Sequence, residues 1–193
     1  MTGNPTRLLL KAGFVPLFWF LIWSTAGAAV APDYHWVSQQ VSELGPLGGM
    51  PEVFEQIAGL GTGLFFILFA IGLWRESDRP FALGALAWMV FGIAMLSNGI
   101  WRMGGPMHGL YAVGIINLIA PAMACLDSER LRSDRGFYAI TAICSLAGVL
   151  YLWLNLLGFD PEGYRGLTQR LFSSINSLWP LMAARCLLRR TAA

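Results

Sequence analysis

Apolar residues along this chain run in long blocks. They do not alternate as in a strand, and they do not form the single stripe of a soluble helix. Six blocks stand out, at 12–31, 52–74, 81–103, 107–126, 136–158 and 167–188. A helix needs roughly 20 apolar residues to cross the hydrocarbon core of a bilayer, and each block has that length. Helical periodicity inside the blocks is weak, as it is for helices with apolar neighbours all round. The pattern predicts an all-α integral membrane protein. One transmembrane domain covers 1–193, with six spanning helices, short connections and no soluble domain on either face.

Composition agrees with this class. The chain is 56% hydrophobic and 12% charged, against about 25% charged in an ordinary globular protein. The net charge of +2 is less informative than where the charges fall. Of the 13 Lys and Arg residues, ten lie in four places: Arg7 and Lys11; Arg75 and Arg79; Arg130, Arg132 and Arg135; Arg185, Arg189 and Arg190. If every block crosses, these places share one face. The positive-inside rule puts that face, and both termini, in the cytoplasm. The loop 32–51 contains no Lys or Arg, as an exported loop should. A cleaved signal peptide is the competing reading of the first block, with Ala29-Val30-Ala31 as the cleavage pattern. The length of the apolar stretch and Pro32 directly after it favour a retained span.

Several features read as packing. Gly59 and Gly63 form a GxxxG, which brings helices close within one chain as readily as between two copies; a homo-oligomer is allowed but not indicated. Pro16, Pro121 and Pro180 fall inside spans, where each removes a backbone donor and can bend its helix. Trp36, Trp101, Tyr111, Tyr151 and Trp153 suit interfacial belts. Cys125, Cys144 and Cys186 map to cytoplasmic halves of spans, so no disulfide is expected. The connectors 75–80 and 127–135 mix charges of both signs and read as solvated turns, with no nucleic-acid footprint. No acid lies near a span centre, and Asn117 and Asn155 do not make a relay, so ion conduction is disfavoured.

Three cations, Arg102, Arg165 and Arg170, remain for the opposite face. The exported segment Pro32–Pro46 is rich in polar groups. Asp33 reads as an N-cap and Gly45-Pro46 as a stop, which predicts a short amphipathic helix between them. Val37, Val41 and Leu44 would share its apolar face, and His35, Ser38, Gln39 and Ser42 its polar one. Asn98 and Arg102 sit four apart on the third span, and His108 opens the fourth. Gln169, Ser173, Asn176 and Ser177 run down the sixth span beside Arg170. A cation at membrane depth needs a partner. Glu43 is the expected partner of Arg170, with Arg102 as the competing donor.

The stretch Tyr34-His35-Trp36-Val37-Ser38-Gln39-Gln40-Val41-Ser42-Glu43-Leu44-Gly45 resembles the Ser-Glu-Leu-Gly loop of the bacterial domain-of-unknown-function family 998. Gly105-Pro106-Met107-His108-Gly109 and Gly166-Leu167-Thr168-Gln169-Arg170-Leu171, with Trp179 downstream, are similar to two further stretches of that family. Members often carry an acid in the loop before the histidine; here that loop is Met103-Gly104-Gly105-Pro106. The resemblance implies a six-helix protein of the bacterial cytoplasmic (inner) membrane and no particular activity. In outline the family is also similar to eukaryotic proteins of lipid-anchor remodelling, a likeness of fold alone.

Four functional readings follow from the polar groups. An outer-leaflet hydrolase or transferase would use Ser38 or Ser42 as nucleophile, His108 or His35 as base and Glu43 to orient it. Arg102 and Arg170 would then hold an anionic head group; no Gly-x-Ser-x-Gly elbow supports this reading. A zinc variant on His35, His108 and Glu43 lacks ligands, because the chain has only 2 histidines. A non-enzymatic binder would use Ser42, Glu43, Arg102, His108, Gln169 and Arg170 as a pocket for a lipid head group or small amphiphile, with His35 and Ser38 at its rim. Each residue taken singly also serves structure, as an ion pair, a cap or a helix contact. The expectation is an external pocket that takes membrane lipids or a small anionic amphiphile, with no cofactor, no metal and no nucleic-acid partner.

Overall fold

The structure, a computed structural model, describes residues 4–108 and 119–190. Most of the predicted fourth span, with Tyr111 and Asn117, lies outside the described residues, as does the side chain of Asn155. The described residues are helical and contain no strand. Helix α1 (Pro5–Lys11) is capped by the Asn4 side chain, which accepts from the Thr6 amide at 3.0 Å. A 3-10 turn, Ala12–Phe14, follows, and the chain then bends by 42° into α2 (Pro16–Ala29). Pro16 has no amide hydrogen and its ring clashes with the preceding turn, so the helix restarts there with proline at its first position.

Helix α3 (Gly49–Arg75) has 27 residues, about 40 Å of helix. It is followed by α4 (Leu83–Ile100), α5 (Ala120–Asp127), the single turn α6 (Glu129–Arg132), α7 (Arg135–Leu156) and α8 (Arg165–Arg190). Three helices, α3, α4 and α7, are long and apolar enough to cross a membrane, or four if the bent α1–α2 pair is one span. Six were predicted. Helix α8 has the length, at 26 residues, but not the apolarity. Its first half carries Gln169, Arg170, Ser173, Ser174, Asn176 and Ser177.

Glycine decides how closely the helices approach. A Cβ on Gly59 would stand 2.8 Å from Cα of Gly99, and one on Gly63 would stand 2.5 Å from the Gly92 carbonyl oxygen. The GxxxG therefore seats α4 on α3 within one chain. On the other side of α3, Trp19 fills the space above Gly61 and donates its indole N–H to the Ile57 carbonyl at 2.8 Å. The core is aromatic. Trp88 of α4 stacks between Phe66 of α3 and Trp179 of α8, with both centroid separations 5.3 Å. Phe69 meets Trp179 edge-on, and Phe137 of α7 tilts against it at 5.5 Å. The Trp179 N–H reaches Thr141 of α7 at 3.0 Å, so a wide ring is buried without an orphaned donor.

The basic segments meet at one end. Leu9 and Leu10 of α1 lie against Gly72 of α3. The connectors, predicted as solvated turns, are bonded to each other. The Asp78 amide donates to the Asp127 carbonyl at 3.1 Å, the Glu129 amide to the Asp78 carboxylate at 2.6 Å, and Arg130 pairs with Glu76 at 2.6 Å. The buried Asp127 carboxylate accepts the Gly84 amide at 2.6 Å, satisfying one of the free donors that start α4. Cys186 of α8 approaches Asp134 at 3.8 Å.

Candidate functional site

The opposite end is built by the loop after α2 locking onto the start of α8. The predicted helix from Asp33 to Gly45 does not form. Turns occupy 32–33 and 36–38, and a 3-10 helix runs Val41–Leu47 with Gly45 and Pro46 inside it. Glu43 explains the start of that helix. Its carboxylate accepts the Gln40 amide at 2.8 Å, closing a capping box. Val41 and Leu44 are buried as expected, whereas Val37 is 42% exposed. Val37 lies in a turn before the 3-10 helix begins, so the helical face predicted for it does not extend that far.

Arg170 is the centre of the lock and is 2% exposed. Its Nη1 donates to the carbonyls of Trp36 (2.8 Å), Gln39 (3.0 Å) and Gly166 (2.9 Å), and its Nη2 to the Tyr34 hydroxyl (2.6 Å). The guanidinium also lies over the Trp36 ring at 4.6 Å and the Tyr34 ring at 5.7 Å. The expected Glu43–Arg170 ion pair is not formed: Glu43 caps the 3-10 helix, and oxygen dipoles and ring faces surround the arginine. Gly166 makes the approach feasible, since a Cβ there would stand 2.2 Å from the Gln39 carbonyl oxygen. The Leu167 amide donates to Val37 at 2.9 Å, and Gln169 accepts the Val41 amide at 2.8 Å. Burial pushes the Tyr34 hydroxyl above its ordinary value of 10.0, against the pull of Arg170.

Arg102, the competing donor, is also occupied. Its guanidinium grips the Glu52 carboxylate with two N–H groups, Nη2 at 2.7 Å and Nε on the other oxygen. Beside this lock lies a groove of about 570 Å³. Gln39, Gln40, Glu43 and Pro46 of the loop form one wall, and Gly158, Asp160 and Arg165 the other. Asp160 accepts the Thr168 hydroxyl through one oxygen at 2.8 Å. Arg165 forms no ion pair with a described residue. It is the third of the outlying cations, and the one of the three without an ion pair or side-chain hydrogen bond among the described residues.

The family model described as Protein of unknown function (DUF998) matches residues 14–185. The chain belongs to the DUF998 family. No curated protein and no solved structure matches it. Family membership and the apolar helices together mark this DUF998 chain as a membrane protein.

The remaining predicted residues scatter around this framework. In the DUF998 chain Ser38 and Ser42 are half-buried, and neither hydroxyl bonds a histidine. His35 is exposed and contributes its backbone amide to Gln39 at 2.6 Å. His108 is 7% exposed, with Nδ1 at 2.7 Å from the Trp101 carbonyl, an arrangement that keeps the proton on Nδ1. Among the described residues no group of three His, Cys, Asp or Glu forms a metal cluster.

Sequence reasoning passed over two acids. Glu52 partners Arg102, and Glu55, 5% exposed, has no hydrogen bond or ion pair with a described residue. One Glu55 oxygen lies 3.6 Å from where a Gly45 Cβ would stand, directly under the Ser-Glu-Leu-Gly turn. Both acids begin an apolar block, where they read as the end of the loop. Asp160 and Arg165 were missed as site residues because they lie in the connector between the fifth and sixth blocks.

Proposed function

We propose that this DUF998 chain spans the bacterial cytoplasmic membrane six times with both termini in the cytoplasm, and that its outward groove binds an amphiphile head group carrying both a phosphate and an amine. The convergence of the basic segments at one end of the bundle supports the orientation. The observation that carries the ligand class is the charge set of the groove. The Arg165 guanidinium, without an ion pair among the described residues, shares it with two carboxylates, Glu43 and Asp160.

Arg165 suits a phosphate, which a guanidinium can engage with two N–H groups. Each carboxylate keeps acceptor capacity after its structural bonds, enough for an ammonium. Gln39 and Gln40 supply further polar contacts, and Met103 an apolar one. A purely anionic head group would leave the acids opposed to it. A purely cationic one would leave Arg165 unused.

The test is native mass spectrometry of the purified chain offered phosphatidylethanolamine or phosphatidylglycerol. Phosphatidylethanolamine should be retained, and Arg165→Ala should weaken it about tenfold, the loss of one charge-assisted contact. Equal retention of both lipids, or no change in the variant, contradicts the reading.

A further inference from the structure

A second groove opens at the arginine-rich end of the bundle, between the start of α7 and the end of α8. Its volume is about 400 Å³, and Phe137, Ile140 and Met182 line it together with Arg185, Arg189 and Asp134. Arg185 and Arg189 are four apart on α8, so both guanidiniums leave the same face of the helix about one turn apart. Both are exposed, and neither forms an ion pair with a described residue. Arg130 at the same end pairs with Glu76, so an acid is used there when the fold needs one.

The carboxylate in the groove is engaged elsewhere. One oxygen of Asp134 accepts the Phe137 amide at 3.0 Å, and the other faces the Cys186 thiol at 3.8 Å. Two cations against one occupied acid leave the groove positive. Its other surface is apolar: Phe137 is buried, and Ile140 and Met182 are half-buried. Paired guanidiniums beside an apolar wall complement a phosphodiester joined to an acyl chain.

We propose that this groove is a binding site for an anionic phospholipid of the leaflet on the arginine-rich side. The phosphate sits between Arg185 and Arg189, and an acyl chain lies against Phe137, Ile140 and Met182. A zwitterionic lipid is the poorer ligand, because its ammonium finds no free acid in the groove and meets a second arginine. The inference is independent of the outward groove, which lies at the other end of the bundle and holds a different charge set.

The experiment uses the full chain, purified and delipidated in detergent, then offered phosphatidylglycerol or phosphatidylcholine and read by native mass spectrometry. One phosphatidylglycerol should be retained about tenfold more strongly than phosphatidylcholine. The double variant Arg185→Gln, Arg189→Gln should abolish the difference. Met182→Trp fills the apolar wall without altering charge, and it keeps the basic end that sets orientation; it should also lower retention. Equal retention of the two lipids by the unaltered chain overturns the proposal. So does undiminished phosphatidylglycerol binding in Met182→Trp or in the double glutamine variant.

Discussion

The Tyr34 hydroxyl accepts an N–H of Arg170 at 2.6 Å while it donates toward the carbonyls of Gln39 and Gln40, each 2.9 Å away. One phenol and one guanidinium thus bond the carbonyls of Trp36, Gln39 and Gln40. The segment after α2 is ordered by these two side chains, with Glu43 as its cap.

Removing Arg170 should release that segment. Arg170→Gln removes the bonds that the guanidinium donates to the carbonyls of Trp36, Gln39 and Gly166 and to the Tyr34 hydroxyl in a buried site, which costs about 3 kcal/mol. Arg170→Lys keeps the charge but loses the fork and should fall between. Thermal melting in detergent and protease cleavage within 36–48 read both effects. An unchanged melt in the glutamine variant would show that the hub is not needed.

The Tyr34 shift sets a pH window. Its folded pKa lies above the ordinary 10.0 because burial disfavours the phenolate. The neutral form is therefore favoured in the fold, and its stabilisation is complete below the unfolded pKa. It is lost as pH rises through 10 toward the folded value. Melting temperature should fall in that alkaline range beyond the general loss, and Tyr34→Phe should remove the extra fall while lowering stability at neutral pH.

The Glu52–Arg102 pair should be worth little despite its bidentate geometry. The Arg102 side chain is 61% exposed, so water screens the attraction. A double-mutant cycle with Glu52→Gln and Arg102→Gln should give a coupling of about 0.5 kcal/mol. A coupling several times larger would mean that the pair is shielded by lipid or by a partner.

Gly59→Val tests the close approach of α3 and α4. Its Cβ would stand 2.8 Å from backbone of Gly99, so the helices must separate. The expected cost is about 1–3 kcal/mol, with the oligomeric state unchanged in size-exclusion light scattering. A change of stoichiometry without destabilisation would assign the GxxxG to an interface between copies.

Glu55→Gln removes a buried acid while keeping its shape. An unpartnered carboxyl in an apolar setting is costly, so the variant should be as stable as the parent or more so, by about 1 kcal/mol. A clear loss of stability would reveal a partner, such as a bound cation.

The chain by itself determined its class and the gathering of its basic segments at one end. Apolar blocks of bilayer length have few alternatives, and arginines and acids are too expensive in lipid to be placed at random. The Ser-Glu-Leu-Gly stretch and the start of α8 also carry the family resemblance, which the match over residues 14–185 shows to be membership.

Tertiary structure decided the pairings. Glu43 follows Gln40 by three residues, so a local capping bond claims it before Arg170 can. Arg170 is left to oxygens that no residue letter encodes, since they belong to the backbone of Trp36, Gln39 and Gly166. The 3-10 helix Val41–Leu47 is also tied to α8 through the Gln169–Val41 bond, a contact that local periodicity does not encode. Which arginine stays free for a ligand depends on which acids and carbonyls the fold brings within reach of the others. Charge along a sequence sets only which end of the bundle each cation occupies.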